Sequence, residues 1–190
     1  MENNPLLREL SALPLGLGAN RASIISTDRI VLDRGFRDMC VSNVCGVYGK
    51  CWMCPPDVGD IDRLMAEVTG YDYALVYQTV SELEDSFDFE GMIAARKRSY
   101  PLAQSLRDAF RAKGVTKALH LGAGGCGVCE QCAKRREEPC RFPELAMPSL
   151  EAYGINVSML ASASGMKYIN GQDTVTYFGA VLFSIDGNDV

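Results

Sequence analysis

The sequence has one histidine and one tryptophan among its 190 residues, and it has neither a basic excess nor a long apolar run. Acidic residues outnumber basic ones, and a net charge of −5 is unlike that of a typical nucleic-acid-binding domain. No apolar stretch approaches the roughly 18 residues of a membrane-spanning helix. The first residues also lack the basic segment and apolar core of a signal peptide. We therefore expect a cytoplasmic protein that binds neither nucleic acid nor membrane.

Several cofactor-binding motifs are also missing. The chain contains no G-x-G-x-x-G or Walker sequence, and the glycines at 122–125 run directly into a cysteine, so no nucleotide site is predicted. The C-x₃-C-x₂-C spacing of radical S-adenosylmethionine enzymes is absent too. His120, the single histidine, is compatible with a proton relay or a metal ligand, but we favour a hydrogen-bonded residue beneath the following loop.

Cysteine, by contrast, is abundant and unevenly distributed. The eight cysteines fall into two sets of four, and residues 55–125 contain none. The first set is Cys40, Cys45, Cys51 and Cys54; the second is Cys126, Cys129, Cys132 and Cys140. In a cytoplasmic protein such density is more often metal-binding or redox-active than disulfide-bonded. Two sets of four thiolates match two Cys₄ metal centres.

The spacing favours iron–sulfur clusters over zinc. Cys126, Cys129 and Cys132 repeat the C-x₂-C-x₂-C spacing of a bacterial ferredoxin, and Cys54-Pro55 resembles its closing Cys-Pro. Zinc remains the alternative, because Cys51 with Cys54 and Cys126 with Cys129 are zinc-knuckle-like pairs. A third thiolate at the same tight spacing suits the corners of a cubane better. We predict two [4Fe–4S] clusters with all eight cysteines as ligands.

The secondary-structure pattern predicts an α/β or α+β layered domain, residues 1–190, with a small mixed sheet flanked by helices and two cysteine-rich metal loops. Asn4 and Asp57 are expected to cap helices, Pro101 to break or kink a helix near Tyr100, and the first cysteine segment to be loop. The predicted helices are 3–12, 57–68, 89–112 and 155–163, with a helical turn at 148–154; the strands are 23–32 (a possible hairpin), 71–80, 115–121 and 174–185. Disorder is expected at the first residues and at 186–190.

Charged and aromatic residues surround the cysteines. In the first set they shape a surface for a substrate or partner or, as we favour, shield the metal. Basic residues next to the cysteines would offset the negative charge of thiolate-ligated centres. The patch Arg96-Lys97-Arg98 is interpreted as a solvated helix face, with docking of an acidic redox partner as the alternative. The residues in question are Tyr48, Lys50 and Trp52 in the first set, and Arg135, Arg136 and Arg141 around the second.

These motifs resemble a family known as domain of unknown function 2284, described as predicted metal-binding proteins of anaerobic bacteria and archaea. The similarity covers roughly residues 30–185, and its clearest segments are 45–56, 125–132, 140–144, 148–155 and 176–179. The resemblance implies a cysteine-ligated metal centre, which we expect to be iron–sulfur, and no particular reaction. A ferredoxin fold is not implied, because proline precedes Cys140 instead of following it.

Three functions are compatible with these residues. We favour an electron-transfer protein or electron-relay subunit with two [4Fe–4S] clusters and a redox partner protein. The second is a small-substrate reductase, an iron–sulfur oxidoreductase that uses one cluster directly. The third is a zinc-stapled structural or interaction module. Because eight cysteines match eight irons, we expect no iron with an open position.

Overall fold

A computed structural model describes residues 4–185. It confirms a layered domain of helices and one sheet with cysteine-rich loops. Three short 3₁₀ helices (Thr27–Arg29, Ala133–Arg136 and Glu151–Tyr153) lie in the connections. The α-helices are α1 (Pro5–Gly16), α2 (Gly35–Val41), α3 (Ile61–Val68), α4 (Phe89–Ala112) and α5 (Val157–Ala163); the strands are β1 (Arg21–Ser26), β2 (Tyr73–Glu82), β3 (Ala118–Leu121) and β4 (Thr174–Phe183).

The four strands form one sheet in the order β1-β2-β4-β3. Each neighbouring pair is antiparallel rather than mixed, so α+β is the better of the two predicted classes. The central pair, β2 and β4, aligns Tyr77 with Gly179. A Cβ at Gly179 would lie 2.3 Å from the Tyr77 hydroxyl, so the tyrosine ring requires glycine opposite it.

Helices cover both faces of the sheet because side chains alternate along each strand. Ala74 and Val76 of β2 pack in the same buried cluster as residues of α3 and α5. Leu75 and Tyr77, which point the other way, pack with residues of α1 and α4. The domain therefore has three layers: α1 and α4, the sheet, and α3 with α5. The loops that connect these elements meet beyond the sheet.

The helix caps agree with the sequence in one case and differ in another. The Asn4 side chain accepts hydrogen bonds from the Leu6 and Leu7 amides, which confirms its predicted role. The cap of α3 is Asp60, so the prediction of Asp57 was wrong. Asp57 instead forms an ion pair with Lys134 in the second cysteine loop.

Two helices contain a proline, and the break predicted at Pro101 is wrong. α4 runs without interruption through Pro101, and α1 includes Pro14 in its last turn. A proline removes one backbone hydrogen bond, and the helix continues when neighbouring bonds and packing compensate for it. Buried Leu102, Leu106 and Phe110 hold the second half of α4 against the sheet.

The two cysteine loops meet on one side of the domain. Leu32 forms a β-bridge with Ile155, and Gly122 forms one with Ser149.

The predicted hairpin within 23–32 is wrong, because β1 pairs with β2 instead. Cys40 also departs from expectation, since it lies on the helix α2 and not in loop.

Across residues 4–185, no helix combines the length and apolarity needed to cross a membrane. The predicted disorder at 186–190 lies outside the described residues.

Candidate metal centre

The fold gathers the cysteines into two groups that differ from the two sets in the sequence. We call Cys40, Cys45 and Cys54 the first group; they line a cavity of about 400 Å³. Cys51, which lies between them in sequence, lines another cavity of about 580 Å³ with cysteines of the second loop. We call these four the second group: Cys51, Cys126, Cys129 and Cys132.

Cys140 lies beside the second group. It lines a pocket of about 20 Å³ together with all four thiols of that group, but it does not line the larger cavity. Phe142 and Ala146 line the same pocket. Five cysteines therefore meet at this pocket.

A single turn joins the two groups. The Cys54 amide donates a hydrogen bond of 2.9 Å to the Cys51 carbonyl, so the two side chains leave one tight turn. Their sulfurs also interact: the Cys54 thiol donates to the Cys51 thiolate, and this lowers the pKa of Cys51 to about 6. The same contact, together with burial, raises the pKa of Cys54. The Cys126 amide and the Cys132 thiol also donate to Cys51.

Burial also changes the pKa of two further thiols, those of Cys126 and Cys40. It raises the pKa of Cys126, although the amides of Val128 and Met147 donate hydrogen bonds to its sulfur and act in the opposite direction. Burial also raises the pKa of Cys40, aided by the nearby Cys45. Metal ligands must be deprotonated, so a bound cation would provide the charge that these sites need.

Helix α4 anchors the second loop with a row of polar side chains. Tyr100 lies on the loop backbone, where a Cβ at Gly127 would be 1.8 Å from its ring. The Gln104 amide donates to the Leu145 carbonyl at 3.0 Å. The buried guanidinium of Arg107 donates to the carbonyls of residues 144 and 146.

Arg96 begins this row, and Gly124 packs beneath it, since a Cβ there would be 2.9 Å from Nη1 of Arg96. The guanidinium lines the cavities of both cysteine groups. The solvated helix face expected for Arg96 is thus wrong, whereas its neighbours Lys97 and Arg98 are exposed. The polar residues of this row are three or four positions apart, so they lie on one face of the helix. This spacing was the signal in the sequence that could have identified the row.

Trp52 connects the two loops. Its indole donates a hydrogen bond of 2.9 Å to the Glu138 carbonyl, and the Lys134 ammonium lies 4.4 Å from the indole ring centroid. Lys134 also pairs with Asp57 at 2.9 Å. We call Trp52, Lys134 and Asp57 the clasp. Trp52 and Asp57 belong to the first loop and Lys134 to the second, so the clasp links the two loops that carry the cysteine groups.

The remaining predicted residues divide between the cavities. Tyr48 lines the cavity of the first group, and Lys50 and Arg135 line that of the second. Arg136 pairs with Glu138 on the surface instead. Arg141 lines neither of the two cysteine cavities described above.

His120 lies apart from the cysteines. It lines a separate cavity, to which no cysteine contributes, and its ring meets the edge of Phe110 at 6.0 Å between centroids. Burial, and then the positive charges of Arg107 and Arg111, lower the pKa of His120 to about 4. At neutral pH the imidazole is uncharged and half-buried beside Phe110, away from the cysteines, so His120 is not placed to act as a ligand of either group.

Cysteine is the main candidate donor of both groups. The thiols border two adjoining cavities, each lined by at least three cysteines. Between residues 4 and 185, no three His, Cys, Asp or Glu side chains converge as ligands of a single ion.

Comparison with known proteins supports a metal-binding role for these cysteines. No curated protein and no solved structure matches the chain. A family model described as "Predicted metal-binding protein (DUF2284)" matches residues 23–183, which include every cysteine of both groups. The chain therefore belongs to this family of predicted metal-binding proteins, as its cysteine motifs implied.

Proposed function

We propose that the protein is an iron–sulfur protein that carries two [4Fe–4S] clusters and transfers electrons to or from a redox partner protein. The observation that carries this proposal is the convergence of the cysteines on two adjoining cavities joined by the turn of Cys51 and Cys54. When bound, such clusters supply one-electron chemistry. The chain's own residues supply ligands, burial, hydrogen bonds and charge.

The spacing of the cysteines supports iron–sulfur over zinc. Cys126, Cys129 and Cys132 follow the C-x₂-C-x₂-C spacing of a bacterial ferredoxin. All three line one cavity, together with Cys51.

The charges around the second group also support the proposal. Two lysines and two arginines line its cavity, and each offsets the negative charge of a thiolate-ligated cluster. The Val128 and Met147 amides donate to the Cys126 sulfur. Hydrogen bonds of this kind tune the reduction potential of a cluster. The four cations are Lys50, Arg96, Lys97 and Arg135.

The shared turn bears on electron transfer. Cys51 and Cys54 leave the same turn but line different cavities, which sets the two proposed clusters side by side. Electrons would then pass between them over a short distance without any movement of the chain. This proximity supports the role of a relay better than that of a single-cluster enzyme.

Metal analysis of protein purified without oxygen tests the proposal. We expect brown protein with about eight irons and eight sulfides per chain. Dithionite should reduce it reversibly, with loss of visible absorption. Stoichiometric zinc with no acid-labile sulfide would contradict the proposal and favour the zinc-stapled module.

The cavity of the first group favours a second candidate, a small-substrate reductase. Its volume of about 400 Å³ is within the range of small-molecule sites. A reductase requires an iron that substrate can reach, so the candidate depends on how the cysteines are shared between the clusters.

A further inference from the structure

We propose that the cavity lined by His120 binds a small organic anion, and that Arg111 holds the anionic end of this ligand. The site contains no thiol, so the inference goes beyond the proposed function and does not depend on a metal. We call this space the His120 cavity. Its volume of about 340 Å³ is within the range of small-molecule sites.

The first step is the position of the cavity beside β3, which is an edge strand of the sheet. At the end of β3, the Gly122 amide donates to the Pro148 carbonyl, so the chain after the second cysteine set pairs with the strand there. Ala118 at the start of β3 lines the cavity together with residues 144 and 146. The pairing therefore stops before Ala118, and the cavity is the space between the strand and this segment.

The second step is the charge of the wall. Arg107 and Arg111 both line the cavity and lie one turn apart on α4. Among the described residues, neither forms an ion pair with a carboxylate. Burial, followed by the charges of both arginines, lowers the pKa of His120, so their positive charge acts on the cavity wall. Two guanidinium groups that no carboxylate pairs with favour an anionic ligand.

The two arginines differ in how far they are already engaged. Arg107 is buried and donates to the carbonyls of Glu144 and Ala146, so it adds a fixed positive charge to the wall. Arg111 is exposed, and its guanidinium can turn toward a ligand. The fork of a guanidinium matches two oxygens of a carboxylate or of a phosphate. We therefore assign contact with the anion to Arg111.

The third step is the apolar part of the wall. Met53, Val58, Leu119 and Pro148 line the cavity together with the arginines. Such side chains would contact the hydrocarbon part of a ligand whose oxyanion meets Arg111. Small-molecule sites commonly combine a mostly apolar lining with a few polar groups that fix orientation. The combination favours an organic anion over inorganic phosphate or sulfate.

The His120 cavity also borders both cysteine loops. Met53 of the first loop lines it, and the Met53 amide donates a hydrogen bond to the Cys51 sulfur. Residues 146 and 148 of the second loop line it too, and the Met147 amide between them donates to the Cys126 sulfur. A bound ligand would contact both segments, so its binding would stabilise the junction of the two loops.

Isothermal titration calorimetry of the anaerobically purified protein tests the site. Benzoate and phenyl phosphate share a ring and differ in the oxyanion, and neutral benzamide is the control. We expect one of the two anions to bind at least tenfold more tightly than benzamide, and the tighter anion identifies the oxyanion. The same oxyanion without the ring, as acetate or inorganic phosphate, should bind more weakly. Failure of both anions to bind, or equal binding of benzamide or of the anion without the ring, would overturn the proposal.

Variants locate the binding site. We expect Arg111→Gln to weaken binding of the tighter anion about tenfold and Arg111→Lys to weaken it less. Arg98→Gln is the matched control, an exposed position on the same helix that does not line the cavity, and it should leave binding unchanged. Glu144 is the acidic residue of the wall, so Glu144→Gln should strengthen binding by removing a like charge. Binding that responds to neither position 111 nor position 144 would overturn the assignment.

The single histidine gives an independent readout, because its ring lines the cavity. The tighter anion should shift the NMR resonances of the His120 ring, and the shift should require a higher concentration of anion in Arg111→Gln. Binding without any shift would place the anion elsewhere and overturn the proposal. A zinc protein without sulfide would contradict the proposed function and leave this inference standing. An iron–sulfur protein that binds neither anion would contradict this inference alone.

Discussion

The two cysteine groups differ in how firmly the fold holds them. The second loop is anchored to α4 by Tyr100, Gln104 and Arg107. The first group lies on the short helix α2 and the loop after it, and Cys45 is exposed. One group is thus built against the long helix α4, whereas the other lies on a short helix and a loop that includes an exposed cysteine. The contrast suggests one centre that is protected and one that is presented to other molecules.

The largest expected effect concerns the number of thiols in each group. Replacing Cys54 by serine would leave the first group with two thiols, so we expect loss of about half the iron and sulfide. Ser42→Ala is the control, since this exposed hydroxyl lies in the same segment and lines neither larger cavity, and it should retain the full content. Iron and sulfide assays after anaerobic reconstitution provide the measurement. Equal losses in the two variants would show that the loss does not come from the removal of a ligand.

A smaller effect is expected for the anchor of the second loop. Arg107→Met removes charged donors from the carbonyls of residues 144 and 146 and leaves these carbonyls unsatisfied. We expect a loss of about 2–3 kcal/mol in the free energy of unfolding. Arg111→Met, at an exposed position one turn later, should change it little. Denaturant titration measures both; equal effects would show that Arg107 acts only through charge.

We expect Gly127→Ala to lower the free energy of unfolding by about 1–2 kcal/mol, because the new Cβ would overlap the Tyr100 ring and one of the two must shift. Gly16→Ala is the control, as a Cβ at Gly16 would meet nothing within 4 Å. Thermal unfolding compares the two variants. A Tyr100→Leu change should recover part of the loss from Gly127→Ala, and no recovery would place the cost elsewhere.

The smallest effect at neutral pH involves His120. Its folded pKa of about 4 lies below the unfolded value near 6.5, so protonation favours the unfolded state. The stabilisation is present above pH 6.5 and is lost as the pH falls through about 4. Because the chain has one histidine, an NMR titration of its ring proton reports this pKa directly. A measured value near 6.5 would show that the ring is not buried.

Much of the scaffold follows from local sequence. The pattern of apolar and β-branched residues located β2 and β4 to within two residues at each end, and Asn4 correctly predicted a helix start. The errors arose where distant residues decide. Asp57 does not cap α3 because Lys134 binds it, and Pro101 is tolerated because packing against the sheet compensates for one lost hydrogen bond.

The candidate site shows the same limit. Clustering in the sequence singled out all eight cysteines, but it grouped Cys51 with its neighbours in the chain. The thiols of Cys51 and Cys54 are in contact, yet Cys51 lines the cavity of the second loop and Cys54 lines that of the first group. Arg96 was likewise interpreted as solvated, since its contact with Gly124 exists only after α4 packs on the second loop. Contacts between distant segments are not encoded in local spacing.

The clasp has a practical consequence, because Trp52 is the only tryptophan in the chain. Its indole stands between the two loops and next to the second cysteine group, whose small pocket it lines. Tryptophan fluorescence therefore comes from a single residue, which lies where the two loops meet. A metal chromophore bound nearby would quench that emission, and separation of the loops would shift it to longer wavelength. The molecule thus carries its own optical probe for following the assembly of the centre.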